Sequence, residues 1–541
     1  MSIRNPILHG YNPDPSIVHV GRDYFLVTST FEYFPGIPIY NSKDLITWSL
    51  IGHALTRRSQ LDLRTVEPSA GIWAPTIRYH NGKFYIAAGC FNCYRPSEGL
   101  RVYPLGFYVS TTNIWDSSSW SDPIFFDVYG FDQDLFWDDD GKVYLTYTHA
   151  LVRRDPHSTK RDFAIHVSEV DMATGKSKKN PVVVRESPTG ISEGPHVFKR
   201  NGYYYLLAAE GGTDGGHSEL VFRSSSSVYG PYEHCPQGAI VRSSNSGGVH
   251  NTGHLDFVED NAGKWWSVLL GYRHRVGDDN QTELSSLGRE TFLVSVDWKD
   301  DWPIVNNGKD IVTIEPEVDE LIAESFWEDK FESDGLSLGW YSKGTPLRSD
   351  YTLLERPGFL RIYGNPYDLS SPEHPAALFR KQENFNVTFE SQLEFDPALS
   401  ETYQAGIVVW YSAFSHASLG IARSSNDLSK RAIVFTKKTI GEEVIKRDVC
   451  EIDSGPVTLL IVASRSMYRL FFRLGFSNED GIILGGDISS AALLRYPPIG
   501  GLFTGVQFGL YSTGQGEPCL APADFAYACC CAGNDLVLKS D

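Results

Sequence analysis

Three carboxylates and one histidine recur at near-constant spacing. Asp14, Asp132, Glu193 and His254 each stand at the head of an apolar run, and Ala74 heads a fifth run of the same kind. Two carboxylates facing one cavity suit hydrolysis of a glycosidic bond. One must be ionised, to act as base or nucleophile, and the other must hold a proton for the leaving oxygen. A third acid nearby disfavours ionisation of the proton donor and raises its pKa. Taken singly, Asp14 and Asp132 read equally well as turn-capping residues, since Asp beside Pro is common in turns. The shared register of the three acids is what favours a site.

The elements that must bring these residues together form a repeat. Positions 14, 74, 132, 193 and 254 each open a segment with an apolar run, a Gly-containing turn and an aromatic-rich strand. A period near 60 residues marks a repeat architecture. The turns GRD, NGK, DDGK, RNG and NAGK join strand pairs as hairpin turns do. Further strands, such as 107–112 and 165–170, allow about four per unit, which reads as a five-bladed β-propeller over residues 1–315. In a propeller the first strands of all blades line the axis, so equivalent positions near their starts converge. From residue 326 to 541 the repeat is gone. Alternating strands such as 387–395 and 405–412 predict a two-sheet β-sandwich there. With 13% aromatic residues, 49 Gly, 29 Pro and little helical periodicity, the chain is expected to be all-β.

Composition narrows the partners. The net charge of −19 disfavours nucleic acid. No run of 18 apolar residues predicts a membrane-spanning helix. The N-terminal stretch lacks the apolar core of a signal peptide, which leaves open a cytosolic chain or a secreted one whose signal has been replaced. Cys90 and Cys93 resemble half of a redox or zinc site, but no second pair completes it. The glycine cluster at 210–216 lacks the Lys-Ser/Thr of a phosphate loop, and Asp138–Asp140 precedes Gly141 as a solvated turn would. Sequons at Asn280 and Asn386 carry little weight.

The motifs NPDPS at 12–16, TSTFEYFPG at 28–36, GIWAP at 71–75, GFDQDLF at 130–136, SEGPH at 192–196, YYYLLAAEGGT at 203–213, LGRET at 287–291 and GLFTG at 501–505 resemble glycoside hydrolase family 43, in the group with a C-terminal concanavalin-like sandwich. The resemblance covers nearly the whole chain. It implies an inverting hydrolase in which Asp14 is the general base, Glu193 the general acid, and Asp132 orients the acid and tunes its pKa. It implies further that Arg289 binds sugar hydroxyls and that Trp73 and Phe31 form aromatic walls. His254 would lie in the channel near a water-ligated calcium ion, though a buried histidine with no metal is an equal reading. No cofactor is otherwise expected. Members of this layout resemble exo-acting β-xylosidases or α-L-arabinofuranosidases. The aromatic covers of the xylosidase pattern align near Ala150 and Gln507, where this chain has none. Together with an enlarged segment at 90–107, that favours removal of arabinose from arabinoxylan over trimming of xylo-oligosaccharides. An inactive carbohydrate-binding protein and a scaffold for protein partners are the readings from other classes.

Overall fold

Short apolar runs rich in β-branched and aromatic residues, broken by Asn-Gly and Asp-Gly turns, have little choice but to pair as hairpins. The structure, a computed structural model, describes residues 4–95, 102–151, 162–244, 248–273, 275–276, 282–283, 285–313, 326–397, 400–475 and 481–533. The expected boundary between 315 and 326, the Asn280 sequon and the tip of the 90–107 segment lie outside these residues. Residues 16–305 form five antiparallel sheets of four or five strands, plus one two-stranded pair. Their first strands are Ser16–Val20, Gly71–His80, Phe131–Trp137, Ser192–Arg200 and His250–Glu259. Each touches the next, and the fifth touches the first, so the sheets close into a propeller around an axis. The N-terminal residues Ile7 and Leu8 bond through their backbone N–H groups to Thr291 of the fifth sheet and tie the ring shut.

Each first strand is entered through a residue in the left-handed region. Asp14 (φ 55°), Ala74 (41°), Asp132 (56°), Gly194 (58°) and His254 (56°) share this conformation. Side-chain-bearing residues adopt it at a cost of about 1–2 kcal/mol. Where the strand continues past this residue, its ladder slips, as between Trp73 and Thr76, Phe131 and Asp134, and Glu193 and His196. Bulges of this kind re-aim side chains beside active sites. The fourth repeat therefore aligns on Gly194. Glu193 stands one position earlier than the sequence register placed it.

The C-terminal region is a sandwich of an eight-stranded and a six-stranded sheet. Phe389, Leu459 and Phe472 of one pack against Ile407, Leu419 and Leu510 of the other, all of them buried. Each such side chain contributes about 1.5–3 kcal/mol by leaving water. Cys529, Cys530 and Cys531 lie near the end of the strand Pro522–Ala532. Sandwich and propeller are joined by a small shared sheet, Tyr33–Phe34 with Ser342–Lys343. An aromatic seam flanks it, with Tyr11, Phe31 and Tyr33 against Tyr341, Phe379 and Trp410. Lys381 reaches across to donate to Asn12 Oδ1 at 2.9 Å, and Trp410 Nε1 donates to the Tyr33 hydroxyl at 2.9 Å. No helix among the described residues is long and apolar enough to cross a membrane.

Candidate active site

The ring of strand openings places the three acids at one end of the axis. Asp14 is buried and held at both oxygens. Ser29 Oγ donates to Oδ2 at 2.6 Å, and Arg289 Nη1 donates to Oδ1 at 3.0 Å. Ser29 Oγ in turn accepts the Ala74 N–H at 2.7 Å, which locks the second strand opening to the first. Asp132 Oδ2 accepts the Gly194 N–H at 2.8 Å, so the third opening is tied to the fourth. Burial, then the charges of Glu193 and Asp14, push the Asp132 pKa well above the usual carboxylate range. The Glu193 charge adds to the cost of ionising Asp132, as a like charge nearby does. Glu193 is half-buried, pairs with Ala209 across its hairpin, and sits at the start of a ladder irregularity.

His254 is buried beside this group. Burial comes first among the causes that bring its pKa down to about 3, so the ring is neutral. A Cβ added at Gly194 would lie 2.8 Å from its Nδ1, so only glycine lets the chain pass. The ring of His196 meets it edge-on at 5.7 Å. The residues of this channel do not fit a calcium ion. The two carboxylates next along the axis, Asp134 and Asp256, are both bound to the guanidinium of Arg78.

Arg289 is buried between aromatic faces. Its guanidinium lies 5.6 Å from the Phe31 ring and 5.3 Å from the Phe503 ring, and Nη1 approaches Thr213 Oγ1 at 3.4 Å. Its Nε is buried with no protein acceptor. Trp73 is half-buried, stacks on Phe91 at 5.1 Å and donates its Nε1–H to Ser69 O at 2.9 Å. Phe31 is buried as a wall packed at 6.1 Å from Phe503. The structure thus gathers Asp14, Asp132, Glu193, His254, Arg289, Trp73 and Phe31 around one end of the axis.

Gln507 reaches the aromatic seam, with its side chain beside the Tyr33 hydroxyl. It is fully buried within the sandwich sheet, between Lys381 and Trp410 on its neighbouring strands. The sandwich side chain that meets Arg289 and Phe31 is Phe503, in GLFTG. Its backbone N–H is anchored to Ser69 Oγ at 3.0 Å, and Ser69 Oγ donates to Gly501 O at 2.9 Å. An aromatic ring also stands beside Ala150. Ala150 pairs across the ladder with Phe163, whose ring stands 5.1 Å from Phe131, itself 6.0 Å from Trp73. Two aromatic rings, Phe503 and Phe163, thus stand close to the positions where the sequence shows none. GLFTG was the signal for the first, while no local pattern marks a cross-strand partner such as Phe163. Sequence reasoning also passed over Ser29, Thr213 and His217. His217 is buried, with its Nδ1 2.8 Å from Asn251 O.

A propeller with acids at its axis, capped by a concanavalin-like sandwich, defines a class of glycoside hydrolase. The chain belongs to glycosyl hydrolases family 43, whose family model matches residues 3–303. The β-xylosidase C-terminal concanavalin A-like domain matches residues 328–530. Among its relatives is the non-reducing end α-L-arabinofuranosidase BoGH43B of Bacteroides ovatus, 35% identical over 97% of this chain and 94% of that protein. A xylan 1,3-β-xylosidase of a Vibrio species is 37% identical over 80% of this chain and 81% of its own. The solved xylan β-1,4-xylosidase of Bacillus halodurans superposes with a TM-score of 0.86 at 31% identity, covering 98% of this chain and all of that one. The chain is thus an exo-acting glycoside hydrolase of this family.

Proposed function

We propose that the chain releases a single pentose from the non-reducing end of a hemicellulose fragment with inversion at the anomeric carbon. Asp14 takes a proton from water as its oxygen attacks that carbon, and Glu193 delivers a proton to the leaving oxygen as the bond breaks. Asp132 keeps a proton on the acid pair by raising the cost of a second charge. Arg289 offers sugar hydroxyls a forked donor. The observation that supports this reading is the sandwich's Phe503 set against Arg289, which itself bonds Asp14, since a site walled by a second domain suits chain ends better than chain middles.

The same criterion that favoured arabinose now supports xylose. Phe503 beside Arg289 and Phe163 beside Ala150 supply aromatic rings near the two positions that the xylosidase pattern covers, and such rings suit the flat faces of a β-linked xylose and its leaving neighbour. A terminal α-L-arabinofuranosyl unit on arabinoxylan is the second reading, favoured by the whole-length similarity to BoGH43B. The test compares initial rates on aryl β-xyloside and aryl α-L-arabinofuranoside, with products from xylo-oligosaccharides and arabinoxylan. A higher rate on the xyloside and xylose from oligosaccharides are expected. Arabinose from the polymer, with weak xyloside cleavage, would install the second reading. NMR of the first product should give the inverted anomer, and initial retention would reject Asp14 as a base.

A further inference from the structure

Two residues past each left-handed opening lies a second layer of the axis, made by Ser16, Thr76, Asp134, His196 and Asp256. Arg78, from the second of the five first strands, reaches into the middle of it. Its Nε lies 2.9 Å from Asp134 Oδ1, and its Nη2 donates to Asp134 Oδ2 at 3.1 Å. Nη1 donates to Asp256 Oδ2 at 2.9 Å and approaches Ser16 Oγ at 3.4 Å. Nη2 also lies 3.1 Å from His196 Nδ1, which fixes that nitrogen as the acceptor. One guanidinium therefore touches the first strands of the other four sheets.

Its partners are themselves struts between sheets. Asp134 Oδ2 accepts the Val197 N–H at 2.9 Å, and Asp256 Oδ2 accepts the Ile17 N–H at 3.0 Å and the Ser16 hydroxyl at 2.6 Å. Asp134 is fully buried and Asp256 nearly so, and buried carboxylates need a cation. Burial works against the Asp256 charge, yet Arg78 brings its pKa down to about 2. A second cation in the same channel would meet the guanidinium in a low-dielectric setting, where like charges repel strongly.

We propose that Arg78 is the resident cation of the propeller axis, filling in this chain the charge-balancing role that a divalent metal would otherwise take, and that it positions the strands carrying Asp132 and Glu193. Arg suits the task because it stays protonated and spans two carboxylates with one planar fork. Arg78 acts through Asp134 and Asp256, in the layer next to the acids, and is a positioning residue.

The test has two arms. In the first, melting temperature and rate of the wild type are followed in EDTA and in millimolar calcium chloride, with calcium binding measured by calorimetry. No change and no binding are expected, whereas a melting temperature that climbs with calcium, or activity lost in EDTA, overturns the proposal. In the second, Arg78→Ala is compared with and without millimolar guanidinium chloride. The variant should melt lower and lose about tenfold or more in kcat, with KM little changed, and guanidinium should recover part of both where equal sodium chloride does not. Unchanged kcat, or no recovery, overturns it. If Arg78→Ala does not fold, Arg78→Lys decides the positioning role. Its single ammonium cannot span both carboxylates, so reduced kcat is expected, and wild-type kcat would reject that role.

Discussion

Asp132 is an acid whose surroundings resist its charge, and that sets the behaviour of its variants. A carboxyl with a raised folded pKa contributes stability below its unfolded pKa and loses it as pH rises through the folded value. At about pH 7 the wild type therefore carries a destabilising acid pair. Asp132→Asn should keep the bond from Gly194 N–H, melt higher at neutral pH (by roughly 2–4 °C per kcal/mol gained) and turn over more slowly. The remaining acid then loses its proton at lower pH, so the alkaline limb of kcat/KM should move down. Scanning calorimetry and a pH–rate profile read both effects, and a lower melting temperature with an unmoved limb would refute the argument. Asp14 and Glu193 should separate differently. Either change to Ala should cost at least about a hundredfold in kcat. Asp14→Ala also strands the buried Arg289 charge and should cost about 3–5 kcal/mol of stability, while half-buried Glu193 should cost little. Urea melts of the two variants make the comparison. The three acids were legible in the sequence because each sits in a distinctive motif. Arg78 was not, because an arginine in the middle of a strand carries no local sign that it points down an axis.

At the scale of the element, the decisive feature is the left-handed residue that opens each first strand. The repeat was readable from its period and its turns, but a single residue's φ leaves no periodic trace. Glu193 was therefore aligned with Asp14, although its backbone counterpart is Gly194. The offset gives the two acids different approaches to the axis, in keeping with the division between base and acid proposed above. Four other openings carry side chains at the same φ, so conformation alone does not demand glycine at 194. Contact with His254 does. Gly194→Ala should therefore lower kcat by about tenfold or more through displacement of Glu193 and His254, while the melting temperature falls only modestly. Equal kcat in a folded variant would show that the acid is not held by this contact. Phe503 and Gln507 teach a related lesson. Four residues apart around the entry to one strand, the apolar Phe503 meets Arg289 at the site while the polar Gln507 is fully buried, the reverse of what hydropathy alone predicts.

The whole molecule depends on its seam. Glu32, buried there, has its pKa raised to about 7, with burial the main cause and the Lys343 charge working against it. Its contribution to stability is complete below its unfolded pKa and is lost as pH rises through about 7. Lys381 is the opposite case. Burial lowers it to about 7, and stability is gained as pH climbs from there toward its unfolded value. Glu32→Gln should therefore melt higher than wild type above about pH 7 and alike in acid, as a melting series across pH will read. The two-domain layout was plain from the loss of the repeat after residue 325. The shared sheet was not, because the two-residue strands Tyr33–Phe34 and Ser342–Lys343 are too short to carry a pattern. That Phe503 completes a wall begun by Phe31 also has a consequence in time. During synthesis at about 5–20 residues per second, roughly 25–95 s separate the two rings. A nascent chain with every acid in place is still without its cap, so activity is expected only once Phe503 has left the ribosome and reached Phe31.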